Sequence, residues 1–445
     1  MAACLANGLT ALQSNDGGGV ERGNRGGAWE HYLAMEADGT LPLRVYLTVD
    51  HSDLAAGTAP PSGSRSPGGL ATCERVKLFG DGSLGAETAA IRGAYNAEDG
   101  SERGGAEEEE GLLIQPDDEL AAKIVDAKSQ GFRLEIHAIG DRAAASVLDG
   151  LERAGVTPAE RPVMTHCQLL GADLIERMER MQCIANIQPQ FVVTDAPFAR
   201  ARLPARIQEH AYVWKTLLDA GIPCAGGSDA PVEVPAPLMG MHDAIFRRSA
   251  GAEPSDAYKP EQALSFEQAL DICECSHGLL PRCHSDDVVL TRRPLLPTDT
   301  IGAAYAAGEE TRLGRIEPGY AADLTILNVD VSVDPALLAA AKVEQVWVAG
   351  VPRYEAGAGV LPPAVQLGGP YIPGKNGPAL ALPSLRGLRL PHRLACGGGM
   401  RKPGAGCDCG DGERCGRVPF ADTFLVGPRP VRTGRRAPPP PPPRV

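Results

Sequence analysis

The sequence predicts an α/β fold of the (β/α)8 TIM-barrel type, on three observations. Four short apolar runs, VKLFGDGS (76–83), LEIHAIGD (134–141), PVMTHC (162–167) and CAGGSDAP (224–231), each lead into a polar residue followed by turn formers. Helix-like stretches separate most of them. The polar residues so delivered are Lys77, His137, His166 and Asp229. A barrel of parallel strands carries its chemistry on the C-terminal rim in this way, so the runs read as successive strands and the four residues as one site. Imidazole and carboxylate suit a divalent cation such as zinc, and the set points to a metal-dependent hydrolase.

In chain order, strands are expected near 42–49, 75–80, 133–138, 162–167, 184–189 and 223–228. Residues 51–74, rich in Pro, Gly and Ser, read as a flexible excursion before the strand that carries Lys77. The run GAEEEEG within 97–111 reads as a solvated loop, because like charges repel. Past the barrel, ADLTILNVD and VEQVWVAGVPRY alternate like strands of a small β element drawn from 313–328 and 342–355. The expected division is a barrel to residue 310, a partial β-sandwich over 311–356 and a disordered Pro/Gly/Arg-rich tail over 357–445.

Composition narrows the function classes. A chain of 445 residues with 43% hydrophobic content can bury a large core. The net charge of −13 divides into +9 on residues 357–445 and −22 on the rest. An acidic body argues against nucleic acid as its main partner. No apolar run reaches the length of a membrane-spanning helix, so no membrane role is expected. The first residues lack the basic and apolar regions of a secretory signal. Cys4, Cys167, Cys183 and Cys224 fall on barrel segments and read as buried reduced thiols, which favours a cytoplasmic location.

The motifs VKLFGDGSLGAETAAIRGAY (76–95), IHAIGDRAAASVLDGLE (136–152), GIPCAGGSDAPVE (221–233) and GRIEPGYAADLTILN (314–328) resemble the amidohydrolase superfamily, in particular its family 3 branch of N-substituted formamide deformylase-like enzymes. THCQLL (165–170), ANIQPQ (185–190) and AYVWKTLLDAG (211–221) extend the likeness. The resemblance implies hydrolysis of a non-peptide C–N bond in a small amide or formamide-like substrate. It implies a metal site in which Lys77, carbamylated by CO₂, bridges, His137 and His166 complete the more exposed metal, and Asp229 binds and acts as general base. Asp81, Gln188 and Trp214 are then candidates for the substrate pocket, and Asp141 for a helix cap. His210 and His242 read as packing or surface residues, and His31 and His51 show no partner pattern.

Two departures from the family matter. No His-x-His occurs, although the family's first strand ends in that motif, and CLANGLTALQS (4–14) already resembles its second strand. The chain is therefore expected to begin inside the barrel and to hold at most one metal well. The second departure is CECSHGLLPRCHSDDVVLTRRPLLP (273–297), which interrupts a continuous family segment. Its Cys273, Cys275, His277, Cys283 and His284 match no zinc-finger spacing, and a loop is expected. Beside the hydrolase stand two other readings: a catalytically impaired regulatory or scaffold protein, and an incomplete gene model of an active enzyme.

Overall fold

In the computed structural model of the chain, which describes residues 1–16, 27–97, 100–101, 111–272, 279–281 and 301–361, seven parallel strands curl into an open half-barrel. They are β1 (Ala11–Ser14), β2 (Arg44–Asp50), β4 (Ala71–Phe79), β5 (Arg133–Ala138), β6 (Val163–His166), β7 (Ile184–Ile187) and β8 (Cys224–Gly226), paired in that order. β3 (Ser64–Arg65) adds to β4 antiparallel. β1 and β8 form the two ends of this sheet.

The strands are short apolar runs because helices cover their outer face, leaving little of β2, β4 or β6 in contact with solvent. Helices Asp117–Ser129, Asp141–Arg153 and Ala172–Met181 connect successive strands, so each step is a parallel crossover. Asp141 opens the second helix and Arg153 lies in its last turn, each complementing the helix dipole. Inside the sheet, Ala306 of helix Ile301–Ala306 packs on Val163, Ile184 and Ala225, filling the end opposite the C-terminal rim.

A second sheet has the order β13 (Gly359–Val360), β12 (Val351–Glu355), β11 (Val343–Val348), β10 (Leu324–Leu327), β9 (Leu279–Pro281). It is fastened to the half-barrel by a buried pair: Arg44 Nε donates to Asp323 at 2.6 Å and Nη2 at 3.1 Å. Thr325 Oγ1 adds a bond to the Gly8 carbonyl at 2.6 Å. Asp323 of the PGYAADL motif thus acts as a tie between sheets, and it also accepts from the Ala349 amide at 2.6 Å.

The structure adjusts several boundaries. The strand carrying Lys77 starts at Ala71 rather than 75, and the 51–74 stretch contains helix His51–Ala55 and the β3 hairpin. The last strands stop earlier than expected, β6 at His166, β7 at Ile187 and β8 at Gly226, and His166 takes a positive φ of +85° where β6 ends. Leu279–Pro281, inside the expected 273–297 loop, pairs parallel with β10. The rest of that segment, most of the acidic 97–111 loop and the tail beyond 361 lie outside the described residues. No helix among the described residues is long and apolar enough to cross a membrane.

Candidate active site

Strand register assembles the site. Lys77 lies opposite Glu135, Phe79 opposite His137, and His137 opposite Thr165, so three adjacent strands present consecutive rows at their C-terminal ends. Residues two apart share a face of a strand, which puts Lys77 with Phe79 and Glu135 with His137.

Lys77 is buried and donates through Nζ to Glu135 Oε1 at 3.0 Å, with Thr165 Oγ1 at 3.4 Å. Asn15, just past β1, donates to the same Glu135 oxygen at 3.2 Å. Burial alone would raise the Glu135 pKa, but the Lys77 and Arg75 cations and the two hydrogen bonds hold it below the usual carboxylate range.

The imidazoles of His137 and His166 stand edge to face with centroids 4.4 Å apart. Phe191 stacks on His166 at 6.0 Å and Phe79 lies 5.7 Å from His137, so aromatic rings flank the pair. His137 Nε2 lies 2.8 Å from the Gly82 carbonyl and 3.1 Å from Asp81 Oδ1. His166 is buried, and its Nδ1 has no hydrogen-bond partner. A buried nitrogen without a partner beside a second imidazole is a donor that a ligand could satisfy.

Burial, then the neighbouring His137 and Lys77, hold the His166 pKa well below the ordinary histidine value. The unfolded chain takes up a proton below its pKa of about 6.5 while the folded chain does not, so stability falls as pH drops through that value. His166→Gln should flatten the fall between about pH 6.5 and 5, read from urea midpoints at stepped pH.

Asp229 follows β8 at the mouth of the sheet and is exposed, yet enough protein surrounds its carboxyl for partial burial to raise its pKa. Lys77 and His137 pull against this shift and Glu135 adds to it, which places all four groups within electrostatic reach. Asp229 and His166 both hold left-handed backbone angles, and such outliers gather at functional sites.

Lys77, His137, His166 and Asp229 are thus drawn to one rim, and Gln188 is buried at the end of neighbouring β7, its Nε2 on Asn186 and its Oε1 unpartnered. The pocket expectation for Asp81 and Trp214 needs correction. Asp81 is buried, its carboxylate occupied by the amides of Ile139, Gly140 and Ala90 at 2.8–3.0 Å. Trp214 is a core side chain against Tyr212 and the Arg247 guanidinium. Asp141 is not a cap: Gly140 holds that position, and the Asp141 carboxylate accepts from the Arg92 amide at 2.8 Å.

Sequence reasoning missed Glu135, Thr165 and Asn15. Glu135 was accessible, since it lies two residues before His137 on the same strand face. Asn15 meets it only through tertiary pairing. A separate hollow of about 400 Å³, lined by Leu54, Pro60, Gln130 and Phe132 among others, carries no ionisable side chain and offers no comparable chemistry.

Known proteins resemble this chain in sequence and in fold. A family model described as "Amidohydrolase family" matches residues 1–273 and 277–354. "Putative amidohydrolase YtcJ" of Bacillus subtilis (strain 168) is 29% identical over 353 residues, covering 79% of this chain and 59% of the relative. "Protein LONG AFTER FAR-RED 3" of Arabidopsis thaliana is 27% identical over 259 residues, 57% of this chain and 38% of the relative. The chain therefore spans less than two thirds of either relative's length. Among solved structures, uncharacterized metal-dependent hydrolases from Pyrococcus furiosus and Pyrococcus horikoshii OT3 superpose with TM-scores of 0.52 and 0.53, at 23% and 24% identity. Each superposition covers 70% of this chain and 54% or 53% of the other, a likeness of fold.

Proposed function

Because the chain belongs to the amidohydrolase family, we propose that its rim site hydrolyses a C–N bond of a small N-substituted amide or formamide with the help of one divalent cation, zinc being the natural choice for imidazole and carboxylate. The observation that carries this reading is the His137–His166 pair, with its orphaned His166 Nδ1, set beside Lys77 and Asp229. Among the described residues no three His, Cys, Asp or Glu side chains are already gathered as a metal shell. The donor chemistry nonetheless fits a cation, with His137, His166 and Asp229 as the residues that would hold it.

The cation would supply an activated water and polarise the substrate carbonyl. The chain's own groups do the rest. Asp229 takes the proton of the attacking water as the C–O bond forms, and delivers it to the nitrogen as the C–N bond breaks. Phe79 and Phe191 exclude water around the imidazoles. Gln188 Oε1 offers an acceptor to a substrate N–H.

Lys77 enters in one of two forms. As an ammonium it pairs with Glu135. As a carbamate, formed when Nζ bonds to CO₂ and releases a proton, it would be an anion, and Glu135 would have to let it go.

The test is a panel of N-substituted formamides, amides and ureas assayed with the chain treated with chelator and then given Zn²⁺, Mn²⁺ or Co²⁺. Metal-restored release of amine from formamides or amides supports the proposal. Turnover that is unaffected by chelation, or absent with every metal, contradicts it.

A further inference from the structure

We propose that Asp81 is a positioning residue that, through the Gly82 carbonyl, fixes the tautomer and ring orientation of His137 and leaves Nδ1 as its metal-binding nitrogen. This rests on the reading of His137 as a ligand. A carbonyl oxygen only accepts, so Nε2, 2.8 Å from Gly82 O, must be the protonated nitrogen of the neutral ring. The lone pair is then on Nδ1.

The carbonyl that imposes this choice stands on a loop, and Asp81 holds the loop. Its Oδ1 accepts from the Ile139 amide at 3.0 Å, and its Oδ2 from Gly140 at 2.8 Å and Ala90 at 2.9 Å. These bonds join the loop after β4 to the end of β5 and to the start of helix Asp141–Arg153. A buried carboxylate 3.1 Å from Nε2 also favours a proton on that nitrogen electrostatically. Glycine at 82 completes the device. A β-carbon there would fall 2.2 Å from Thr88 Oγ1 and 2.6 Å from Thr88 Cβ, so a side chain would force the Gly82 or Thr88 segment of the loop to shift.

The experiment is ¹⁵N–¹H NMR of the full-length, histidine-labelled, metal-free chain at pH 8, with the His137 signals identified by their loss in His137→Gln. The wild type should show the Nε2–H tautomer. Asp81→Asn places an amide donor against backbone N–H groups, and should shift His137 toward the Nδ1–H form and weaken Zn²⁺ binding by about 10–100-fold. Gly82→Ala should shift the tautomer in the same direction with Asp81 intact, which keeps the test valid if Asp81→Asn fails to fold. Asp141→Asn, which alters another buried carboxylate, should lower stability and leave the His137 signals unchanged. An Nδ1–H tautomer in the wild type, or an unchanged tautomer in Asp81→Asn and Gly82→Ala, would overturn the proposal. If the tautomers behave as expected but no form of the chain binds Zn²⁺, Asp81 keeps its positioning role and the ligand reading of His137 fails.

Discussion

Asp229→Asn should lower turnover of the best amide substrate by about 10²–10⁴-fold, the usual worth of a positioned acid–base group, while the melting temperature stays close to wild type. Three features make this variant informative. Asp229 is exposed at the mouth of the sheet, so its replacement opens no cavity in the core. Its φ of +54° is a conformation that asparagine tolerates better than most residues, so the backbone keeps its path. Its carboxylate carries the proton in the proposed step, so the acid limb of the wild-type rate profile should disappear in the variant. A loss of turnover accompanied by unfolding would point to a structural role instead. Steady-state kinetics across pH, paired with thermal melts, separates the two.

Lys77→Met should destabilise the fold by about 3–5 kcal/mol, the cost of leaving one partner of a buried pair uncompensated. The lower end is favoured here, because Arg75 and Asn15 remain beside Glu135. Removing both charges in Lys77→Met/Glu135→Leu should recover most of the loss. The pH dependence has a definite sign. In the wild type Glu135 has a lowered pKa, so its contribution is present above the unfolded value of about 4.3 and is lost as pH falls through the folded one. Without Lys77, Glu135 can escape the penalty by taking a proton, so the variant's deficit in urea unfolding should shrink as pH is lowered from neutral. A deficit that is constant with pH would mean that the lost methylene packing, rather than the ion pair, sets the cost.

The strand ends were the legible part of the sequence. Lys77, His137 and His166 lie within two residues of their strand ends and Asp229 lies three residues past β8, so parallel pairing brings all four to one rim. The positive φ of His166, next to the inward Thr165, is a backbone departure that alternation alone does not foretell. The small sheet was legible from its alternation in β10, β11 and β12. What the sequence did not disclose depends on contacts across long separations. Asn15 reaches Glu135 over 120 positions, and Arg44 reaches Asp323 over 279. Asp81 shows a subtler limit. A carboxylate near a site suggests substrate contact, but only the backbone path reveals that three amide groups already occupy it. Trp214 was misplaced because an aromatic residue in a family motif serves packing as readily as binding, and here Tyr212 and Arg247 enclose it.

If one rim of the half-barrel holds a single divalent cation, elemental analysis of the purified chain and anomalous diffraction at the zinc edge from zinc-soaked crystals will find it there. The expected result is up to one equivalent of zinc per chain, with one peak about 2.0–2.2 Å from nitrogen atoms of His137 and His166 and Asp229 beside it. A peak elsewhere with this rim empty, or a chain that hydrolyses amides with no metal at all, would contradict it.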